Sequence, residues 1–340
     1  MASVTIYDIA KEARVSPATV SRVLTGNARV KPSKEKEIRN LMEQYNFYPN
    51  AMAQSLIAGR SRLIGLITAD IRNPYYAELC VACEVAAKNM DYRVLLCNVF
   101  DDNAVEEDCL EIFAAQRVDA VIQLGCRVDA LAGDSDYIQR INRLAVPFIS
   151  TGKLEGSKAY SYGVNQAEGL RIAFEHLHAL GHERIALLGG RLNVRPTYEK
   201  WTKYIYLLGI HGLPLRPGYV QEGSYDFFGG VECMNRLLAL EEPPTAVITI
   251  NDYVAMGALS AINAKGLNCP ADVSIISHDN TFLAKTTTPL LTSVDCCYEQ
   301  LGEGLVSTAM KLIDGEENVP NEVCLTPALS HGGSCSSPPV

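Results

Sequence analysis

The sequence predicts an α/β protein with a small all-helical domain at the N-terminus and a large core of parallel sheets. Three observations predict this. Residues 5–24 have the pattern of two short helices joined by a tight turn, short apolar strands alternate with helices from Leu63 onward, and the two parts differ in charge. Strands that alternate with helices are typical of parallel sheets covered on both faces. A chain of 340 residues is long enough for two or three domains.

The N-terminal stretch predicts a helix pair that can contact DNA. Thr5 precedes Asp8 by three residues, which fits a capping box at the start of the first helix. Ser16 is expected to cap the second helix, with Pro17 at its first position, where the missing N–H costs nothing. The outward face of that second helix offers hydroxyls, a small side chain and Arg22, which suit base edges in a major groove. An ordinary amphipathic helix pair is the alternative.

A third helix and a short connecting segment follow. Ser33 is expected to cap the third helix, and Asn46 is expected to end it in a left-handed conformation. Asn50 and Gly59 bound a further segment of about two helical turns, which is too short to be stable alone. This segment is a hinge that folds on a partner or, alternatively, a plain connector. The predicted domains are a DNA-binding head (1–48), a hinge helix (49–61) and a core (62–340).

Charge separates the head from the core. Residues 1–62 contain 10 Lys+Arg and 5 Asp+Glu, whereas the remainder contains 20 and 34, in a chain with a net charge of −9. A basic head on an acidic body suits the binding of a polyanion by the head alone. The N-terminus has no apolar signal region and no apolar run is long enough to cross a bilayer. We therefore expect a cytoplasmic protein with no membrane partner.

The cysteines and the motif content do not indicate an enzyme. The 11 cysteines are scattered, and we expect them to be reduced and mostly buried. Cys80 and Cys83 have C-x-x-C spacing, but no second pair completes a zinc site, so a role in the core is favoured. No phosphate-binding loop, metalloprotease motif or nucleophile elbow is present. We expect no catalytic residues, no metal and no cofactor.

Seven strands are predicted in the core, and their carboxyl ends should carry the ligand site. The strands are Leu63–Ala69, Arg93–Val99, Val118–Leu124, Val146–Thr151, Arg184–Gly189, Thr245–Ile250 and Val273–Ser277. Helices of ordinary length lie between them, and a core of this size favours two lobes. The polar candidates just after the strands are Asp70, Asn73, Asp101, Asp102, Lys153, Asn251, Asp252, His278 and Asp279.

Several segments, in this order, resemble the LacI/GalR family of transcriptional repressors. They are TIYDIAKEARVSPATVSRVL, YPNAMAQSL, IRNPYYAEL, VDAVIQL, LHALGHERIALLGG, PPTAVITINDYVAMGAL, CPADVSIISHDN and PLLTSVD. The resemblance implies a helix-turn-helix head, a hinge helix and a two-lobed, dimerising core like that of periplasmic binding proteins. The implied N-lobe covers about 62–161 and 291–321, and the implied C-lobe about 162–290 and 322–340.

The resemblance also implies a function. It implies a repressor that binds a near-palindromic double-stranded operator as a homodimer, with a small polar effector, a sugar or sugar derivative, between the lobes. In the family the hinge helices pair in the minor groove, and Leu56 has the position of the residue that wedges into a base step. Pro17, Ala18 and Arg22 are expected to contact bases. The full set of expected DNA contacts is Thr5, Tyr7, Ser16, Pro17, Ala18, Thr19, Ser21, Arg22, Asn27, Asn50, Ala53 and Leu56.

The expected effector contacts combine polar and aromatic side chains. They are Asp70, Asn73, Tyr75, Tyr76, Lys153, Asn165, Lys200, Trp201, Tyr253 and Asp279. Carboxylates would accept hydrogen bonds from ligand hydroxyls, and the aromatic rings would stack on a sugar or a base. The alternatives are that Asp70 caps the following helix, that Asp279 is structural and that the tyrosines are packing residues. Asp252 is expected to be structural, as the cap of a helix that starts at Tyr253.

Some positions depart from the family pattern. Arg14 stands where the turn usually has glycine, Gly152 and Lys153 stand where Asp or Asn and Arg are common, and Lys200 stands where an arginine is usual. Lysine cannot reproduce the two-pronged geometry of arginine, so the effector is expected to differ from the family's commonest ligands or to be held differently. Two other functions stay open: a regulator that answers to a partner protein, and a solute-binding protein without a DNA function.

Overall fold

The structure is a computed structural model that describes residues 4–24, 30–47 and 59–339. The chain divides into two compact units, Met1–Arg62 and Leu63–Val340, and each is described by itself. This division agrees with the predicted start of the core. Most of the predicted hinge lies outside the described residues.

Within its described residues, the first unit has three helices, α1 (Ile6–Glu12), α2 (Pro17–Leu24) and α3 (Pro32–Gln44). Its apolar faces meet in one core, formed by Ile9, Ala10, Ala13, Val20, Val23 and Ile38. The prediction that Ser33 caps α3 is wrong. The helix begins at Pro32 after Lys31, with no side-chain cap, because proline at the first position needs no N–H partner.

The turns that end α1 and α3 share a left-handed residue. Arg14 has φ +51° and Asn46 has φ +47°. In each case the following N–H reaches back into the helix: Val15 N donates to Ala10 O at 2.9 Å, and Phe47 N donates to Met42 O at 2.8 Å. The predicted role of Asn46 is confirmed. Arg14 adopts the left-handed conformation for which glycine is usual, although its Cβ atom makes that conformation sterically unfavourable.

The second unit contains twelve strands in the described residues. They are β1 (Leu63–Thr68), β2 (Arg93–Asn98), β3 (Ala120–Leu124), β4 (Phe148–Ser150), β5 (Tyr160–Val164), β6 (Ile185–Leu188), β7 (Val220–Gln221), β8 (Ala246–Thr249), β9 (Ser274–Asp279), β10 (Thr292–Asp295), β11 (Glu322–Leu325) and β12 (Ala328–Ser330). The seven predicted strands are all confirmed, and their ends differ from the prediction by at most two residues.

Helices cover both faces of two sheets. The α-helices are α4 (Pro74–Asn89), α5 (Asn103–Gln116), α6 (Ser135–Arg143), α7 (Gln166–Ala179), α8 (Arg195–Ile210), α9 (Phe227–Leu238), α10 (Asp252–Ala264) and α11 (Tyr298–Ile313), with short 3-10 helices at Cys126–Asp129 and Phe282–Lys285. The first sheet has the order β11-β5-β4-β3-β1-β2, and the second β12-β10-β9-β8-β6-β7. Every pairing is parallel except that of β12 with β10, so the predicted α/β class is confirmed.

Each sheet is the centre of one lobe, and the chain crosses between the lobes three times. The crossings lie at 164–165, 296–297 and 326–327. The lobe bounds implied by the resemblance (62–161 with 291–321, and 162–290 with 322–340) therefore need correction: β10 belongs to the C-lobe and β11 to the N-lobe. β10 pairs with β9, for example Thr292 with Ile276, and β11 pairs with β5, for example Val323 with Tyr162.

The cysteines of the core are free thiols, but the expectation that most of them are buried is wrong: five of the 11 are buried, five are partly buried and Cys324 is exposed. Cys80 and Cys83 are buried on α4, within the apolar cluster between that helix and the first sheet, as predicted. Among the residues that the structure describes, no group of three His, Cys, Asp or Glu side chains is arranged to hold a metal ion. In the same part of the chain, no helix combines the length and the apolar character needed to cross a membrane.

Candidate functional site

Local caps hold the candidate DNA-contacting residues of the head. The N–H and hydroxyl of Thr5 donate to Asp8 Oδ2 at 2.8 and 2.7 Å, and the N–H of Asp8 donates to Thr5 Oγ1 at 3.4 Å. This confirms the predicted capping box, and the hydrogen bonds from Thr5 lower the pKa of Asp8. At the start of α2, Ser16 Oγ accepts the N–H of Thr19 at 3.2 Å, and Pro17 occupies the first helical position.

The second helix turns one face to its own core and another to solvent. Val20 and Val23 are buried, whereas Ala18 and Arg22 are exposed. Because Ala18 and Arg22 are four residues apart, they lie on the same face of α2. The remaining candidates in the described head are exposed or half-buried: Thr5, Tyr7, Ser16, Pro17, Thr19 and Ser21.

Four expected DNA contacts lie outside the described residues: Asn27, Asn50, Ala53 and Leu56. The structure therefore describes helices α1 to α3 of the head, and the contacts expected from the hinge residues remain predictions.

Asp279 lies where the second sheet meets the space between the lobes. It is the last residue of β9, with φ +97°, and it is buried. The thiol of Cys296, at a lobe crossing, donates to Asp279 Oδ1 at 3.7 Å. Burial and the neighbouring carboxylate of Asp252 raise the pKa of Asp279 to about 7, against the opposing charge of Lys200. Lys200 is buried as well, and its ammonium donates to Gln166 Oε1.

Asp252 is a structural residue, but it is not the helix cap that we expected. The cap of α10 is Asn251, whose Oδ1 accepts the N–H of Val254 at 2.7 Å. Asp252 is the first residue of the helix, and its buried carboxylate accepts four hydrogen bonds, from Ser277 Oγ, Ser293 Oγ and both the N–H and the hydroxyl of Thr281. It joins α10 to the ends of β9 and β10 and leaves no oxygen directed to a ligand.

Tyrosine rings form an aromatic wall on the N-lobe side. The rings of Tyr75 and Tyr76 meet edge to face with centroids 5.0 Å apart, and Tyr298 lies 5.8 Å from Tyr75. Asn73 fixes the start of α4 by accepting the N–H of Tyr75 at 3.1 Å. Burial raises the pKa of Tyr75 and Tyr76, so both hydroxyls stay protonated. Sequence reasoning missed Tyr298, because the lobe crossing that it follows is visible only in the three-dimensional structure.

Other predicted effector residues are engaged elsewhere. Asp70 binds the guanidinium of Arg72 through both carboxylate oxygens, and Asn73 takes the cap position considered for Asp70. Lys153 is half-exposed and pairs with Glu155 at 3.2 Å and Glu322 at 2.9 Å. The structure therefore does not bring Lys153 together with Asp279 and the aromatic wall.

The last three predicted effector residues have mixed positions. Asn165 caps α7 by accepting the N–H of Glu168 at 2.9 Å, directly at a lobe crossing. Trp201 packs on the apolar cluster between α7, α8 and the second sheet. Tyr253 is half-buried at the start of α10.

The two lobes touch at an ion pair and at a short backbone contact. Arg191 binds Asp101 at 3.1 Å across the lobes, with both side chains about half exposed (52% and 53%). Leu131 N donates to Asn193 O at 3.3 Å, and Ala130 and Val194 form a β-bridge. No local pattern reveals such pairs, because each partner is fixed only by the way the lobes meet.

The head and the core together define a class of protein: a helix-turn-helix domain joined to a two-lobed binding core. Residues 5–50 match the family described as bacterial regulatory proteins, lacI family, and residues 174–335 match the periplasmic binding protein-like domain. Catabolite control protein A of Priestia megaterium is 34% identical over 294 residues, which cover 86% of this chain and 87% of that one. The HTH-type transcriptional repressor PurR of Mannheimia succiniciproducens is 32% identical over 88% of this chain and 89% of its own.

A solved structure agrees over nearly the whole chain. The Lac repressor dimer bound to operator and an anti-inducer has a TM-score of 0.87 and 27% identity, and the match covers 98% of this chain and 100% of that one. The chain described here belongs to the LacI family of bacterial regulatory proteins. Its relatives are DNA-binding transcriptional regulators and not enzymes.

Proposed function

We propose that this regulator is a repressor that binds a near-palindromic operator as a homodimer, and that a sugar or sugar derivative between its lobes controls operator affinity. The observation that carries the proposal is the exposed face of α2. Ala18 and Arg22 lie there on one side of a helix whose start is capped by Ser16. Small and arginine side chains on the exposed face of such a helix suit base contacts in the major groove.

A second copy of the chain is the expected partner in DNA binding. The solved Lac repressor is a dimer bound to operator. In this chain the N-lobe exposes apolar side chains on neighbouring elements: Val81 and Val85 of α4 are 57% and 54% exposed, and Leu96 of β2 is 40% exposed. Contact between two such surfaces would remove them from water. Two heads related by twofold symmetry read two half-sites, which predicts a palindromic operator.

The space between the lobes suits a polar molecule with an apolar face. Tyr75, Tyr76 and Tyr298 offer rings on the N-lobe side, and Asp279 and Lys200 offer an acceptor and a donor on the C-lobe side. Aromatic rings with a few polar groups are typical of small-molecule sites. A sugar has this combination, because its C–H face can pack on a ring while its hydroxyls bond to carboxylate and ammonium groups.

An effector in that space can change operator affinity through lobe closure. A ligand shifts a conformational equilibrium only by the difference in its affinity for the two states. Contacts to both lobes would give that difference, since only the closed arrangement provides them together. Coupling free energies in such systems are typically about 1–3 kcal/mol.

Selection of DNA by the full-length protein tests the DNA-binding part of this proposal. We expect the protein to enrich a near-palindromic sequence from a pool of randomised duplexes, and the Arg22→Ala variant to lose that enrichment. Arg39→Ala is the control, because Arg39 is an exposed residue of α3 paired with Glu35. Equal recovery of all sequences by the wild-type protein at low salt would overturn the proposal.

A further inference from the structure

A carboxylate that the sequence did not indicate reaches the space between the lobes from the N-lobe. Asp129 ends the short 3-10 helix that follows β3, so it lies beyond the carboxyl edge of the first sheet, where ligands of parallel sheets bind. Burial is the main cause of the raised pKa of Tyr75 and Tyr76 in the N-lobe and of Tyr225 in the C-lobe, and the nearby charge of Asp129 adds to it in each case. Asp129 therefore lies between the aromatic wall and the C-lobe.

Gly152 makes room for this carboxylate. A Cβ atom at position 152 would lie 2.7 Å from Asp129 Oδ1 and 2.7 Å from the carbonyl oxygen of Val128. Any side chain there would push the 3-10 helix away from the end of β4. The glycine, which is one of the departures from the family pattern, is thus the reason that Asp129 can occupy this place.

The carboxylate of Asp129 has no partner among the described residues. No hydrogen bond or ion pair to its oxygens is formed there, and the nearby ammonium of Lys200 donates instead to Gln166. The other charged groups that act on it are Glu199 and Arg195 of α8 and the carboxylate of Asp101. Burial and Glu199 raise the pKa of Asp129 to about 7, which is the behaviour of a carboxylate without a dedicated cation or donor.

A carboxylate that faces a binding space and has no protein donor can accept a hydrogen bond from the ligand. Asp129 is partly exposed and its oxygens are open to solvent, so a hydroxyl or amino group of a ligand can replace water as their hydrogen-bond donor. Asp279 of the C-lobe is a second acceptor, and among the described residues the donor to its carboxylate is the weak thiol of Cys296. A ligand with donors at two of its edges can bond to Asp129 and Asp279 together, and so hold the lobes closed.

We propose that Asp129 is a specificity-determining residue of the effector site, and that it accepts a hydrogen bond from a hydroxyl or amino group of a sugar-like effector in the place that Gly152 leaves open. This inference rests on the proposed function and adds the N-lobe acceptor and the donor character of the ligand to it. Sequence comparison with the family would direct attention to position 152, which has no side chain, rather than to position 129.

The test uses the full-length protein with a fixed panel of probes at millimolar concentration: D-glucose, D-galactose, D-ribose and cellobiose, together with glucosamine and galactosamine. A shift in melting temperature identifies binders, and calorimetry then gives the affinity of the best one for each variant. We expect Asp129→Asn to weaken that affinity roughly tenfold or more, the usual effect of losing a charge-assisted hydrogen bond. Asp136→Asn, which changes the same charge on the exposed face of α6, should leave it unchanged.

The two ligand chemistries give different results in the same panel. If an amino group is the donor, glucosamine or galactosamine binds more tightly than its parent sugar, and the advantage disappears in Asp129→Asn. If a hydroxyl is the donor, the parent sugars bind at least as well. Either result with a loss in the variant supports the inference. An unchanged affinity in Asp129→Asn overturns it, as does the absence of binding by every probe.

A second variant tests the same site without touching the carboxylate. Gly152→Ala should displace Asp129 and weaken binding of the same probe, whereas Gly133→Ala, at a position with open space around it, should not. Wild-type affinity in Gly152→Ala would contradict the inference. Operator binding without a probe should persist in all four variants, which separates this inference from the proposed function: if the wild-type protein selects no DNA sequence, the proposed function itself fails.

Discussion

The head and the space between the lobes place their functional residues in different ways. In the described part of the head, six apolar side chains form the buried core, and the candidate contact residues are exposed or half-buried, with Thr5 and Ser16 each in a cap with a residue three positions away. In the core, the candidate site combines residues from 73 to 298, several of them buried and charged. Short-range rules therefore determine the first site, and the packing of two lobes determines the second.

This difference has an energetic side. Exposed groups of the head, such as Arg22, can be replaced with little effect on folding, because surface substitutions usually change stability by less than about 0.5 kcal/mol. Buried carboxylates of the core, such as Asp279, oppose folding when they are charged. The candidate binding residues of the head therefore hardly affect the stability of the fold, whereas those of the core lower it.

Removal of a core side chain from the head should have the largest effect. Ile38 is fully buried in this small domain, and Ile→Ala at such a site costs about 2–5 kcal/mol. Small domains have little stability to lose, so we expect Ile38→Ala to abolish operator binding while the thermal transition of the core is unchanged. Ile112→Ala, at a 47% exposed position of α5, is the control. Wild-type operator affinity in Ile38→Ala would show that the head does not depend on this core.

The next effect concerns the charge of Asp279. Its pKa is 3.8 in an unstructured chain and about 7 in the folded protein, so the folded state binds more protons between these values. The contribution of Asp279 to stability therefore falls as the pH rises from 4 to 7. Asparagine does not titrate, so Asp279→Asn should lack this loss of stability with rising pH. We expect its free energy of unfolding at pH 8 to be higher than that of the wild type by on the order of 1–3 kcal/mol.

Denaturant unfolding at pH 4.5 and pH 8, without effector, checks this prediction about Asp279. The advantage of Asp279→Asn should be much smaller at the lower pH, and Asp136→Asn should show no comparable change. A variant that is less stable than the wild type at pH 8 would mean that charged Asp279 makes a favourable interaction and does not oppose folding.

Arg22→Ala should affect DNA binding and not folding. If Arg22 contacts a base, the variant should lose roughly 1–3 kcal/mol of binding to the selected operator and much less on random DNA. Fluorescence anisotropy with both duplexes measures the two losses, with Arg39→Ala as the control. An equal loss on both duplexes would instead identify a phosphate contact.

The smallest effect is expected at the capping box of α1. Thr5→Ala removes the side-chain acceptor for the N–H of Asp8 and should lower the stability of the head by about 1 kcal/mol. Thr5→Ser keeps the hydroxyl and should retain most of the stability. Calorimetry of the head transition provides the measurement, and an unchanged transition in Thr5→Ala would show that the cap contributes little.

Local sequence rules predicted the head and the order of the strands, and they failed where long-range packing decides. The cap formed by Thr5 and Asp8 and the left-handed Asn46 depend on neighbours within five residues. β10 and β11 are four residues each, and nothing in so short a strand specifies which of two sheets it joins. Their assignment follows from the lobe crossings, which only the three-dimensional structure reveals.

The candidate effector site was predicted only in part, because its residues also come together through long-range packing. Tyr75, Tyr76 and Asp279 follow the rule that ligands meet the carboxyl ends of parallel strands. Lys153 satisfies that rule as well, but nearby glutamates bind it at the surface. Asp129 was missed, because its proposed role depends on the missing side chain of Gly152, which follows a separate strand.

The most direct test of the account is the operator dissociation constant of the full-length protein, measured with and without a compound that saturates the space between the lobes. The account predicts a change of about 5–150-fold, which corresponds to a coupling free energy of about 1–3 kcal/mol. An operator affinity that stays the same while the compound is bound would contradict the claim that the core controls the head.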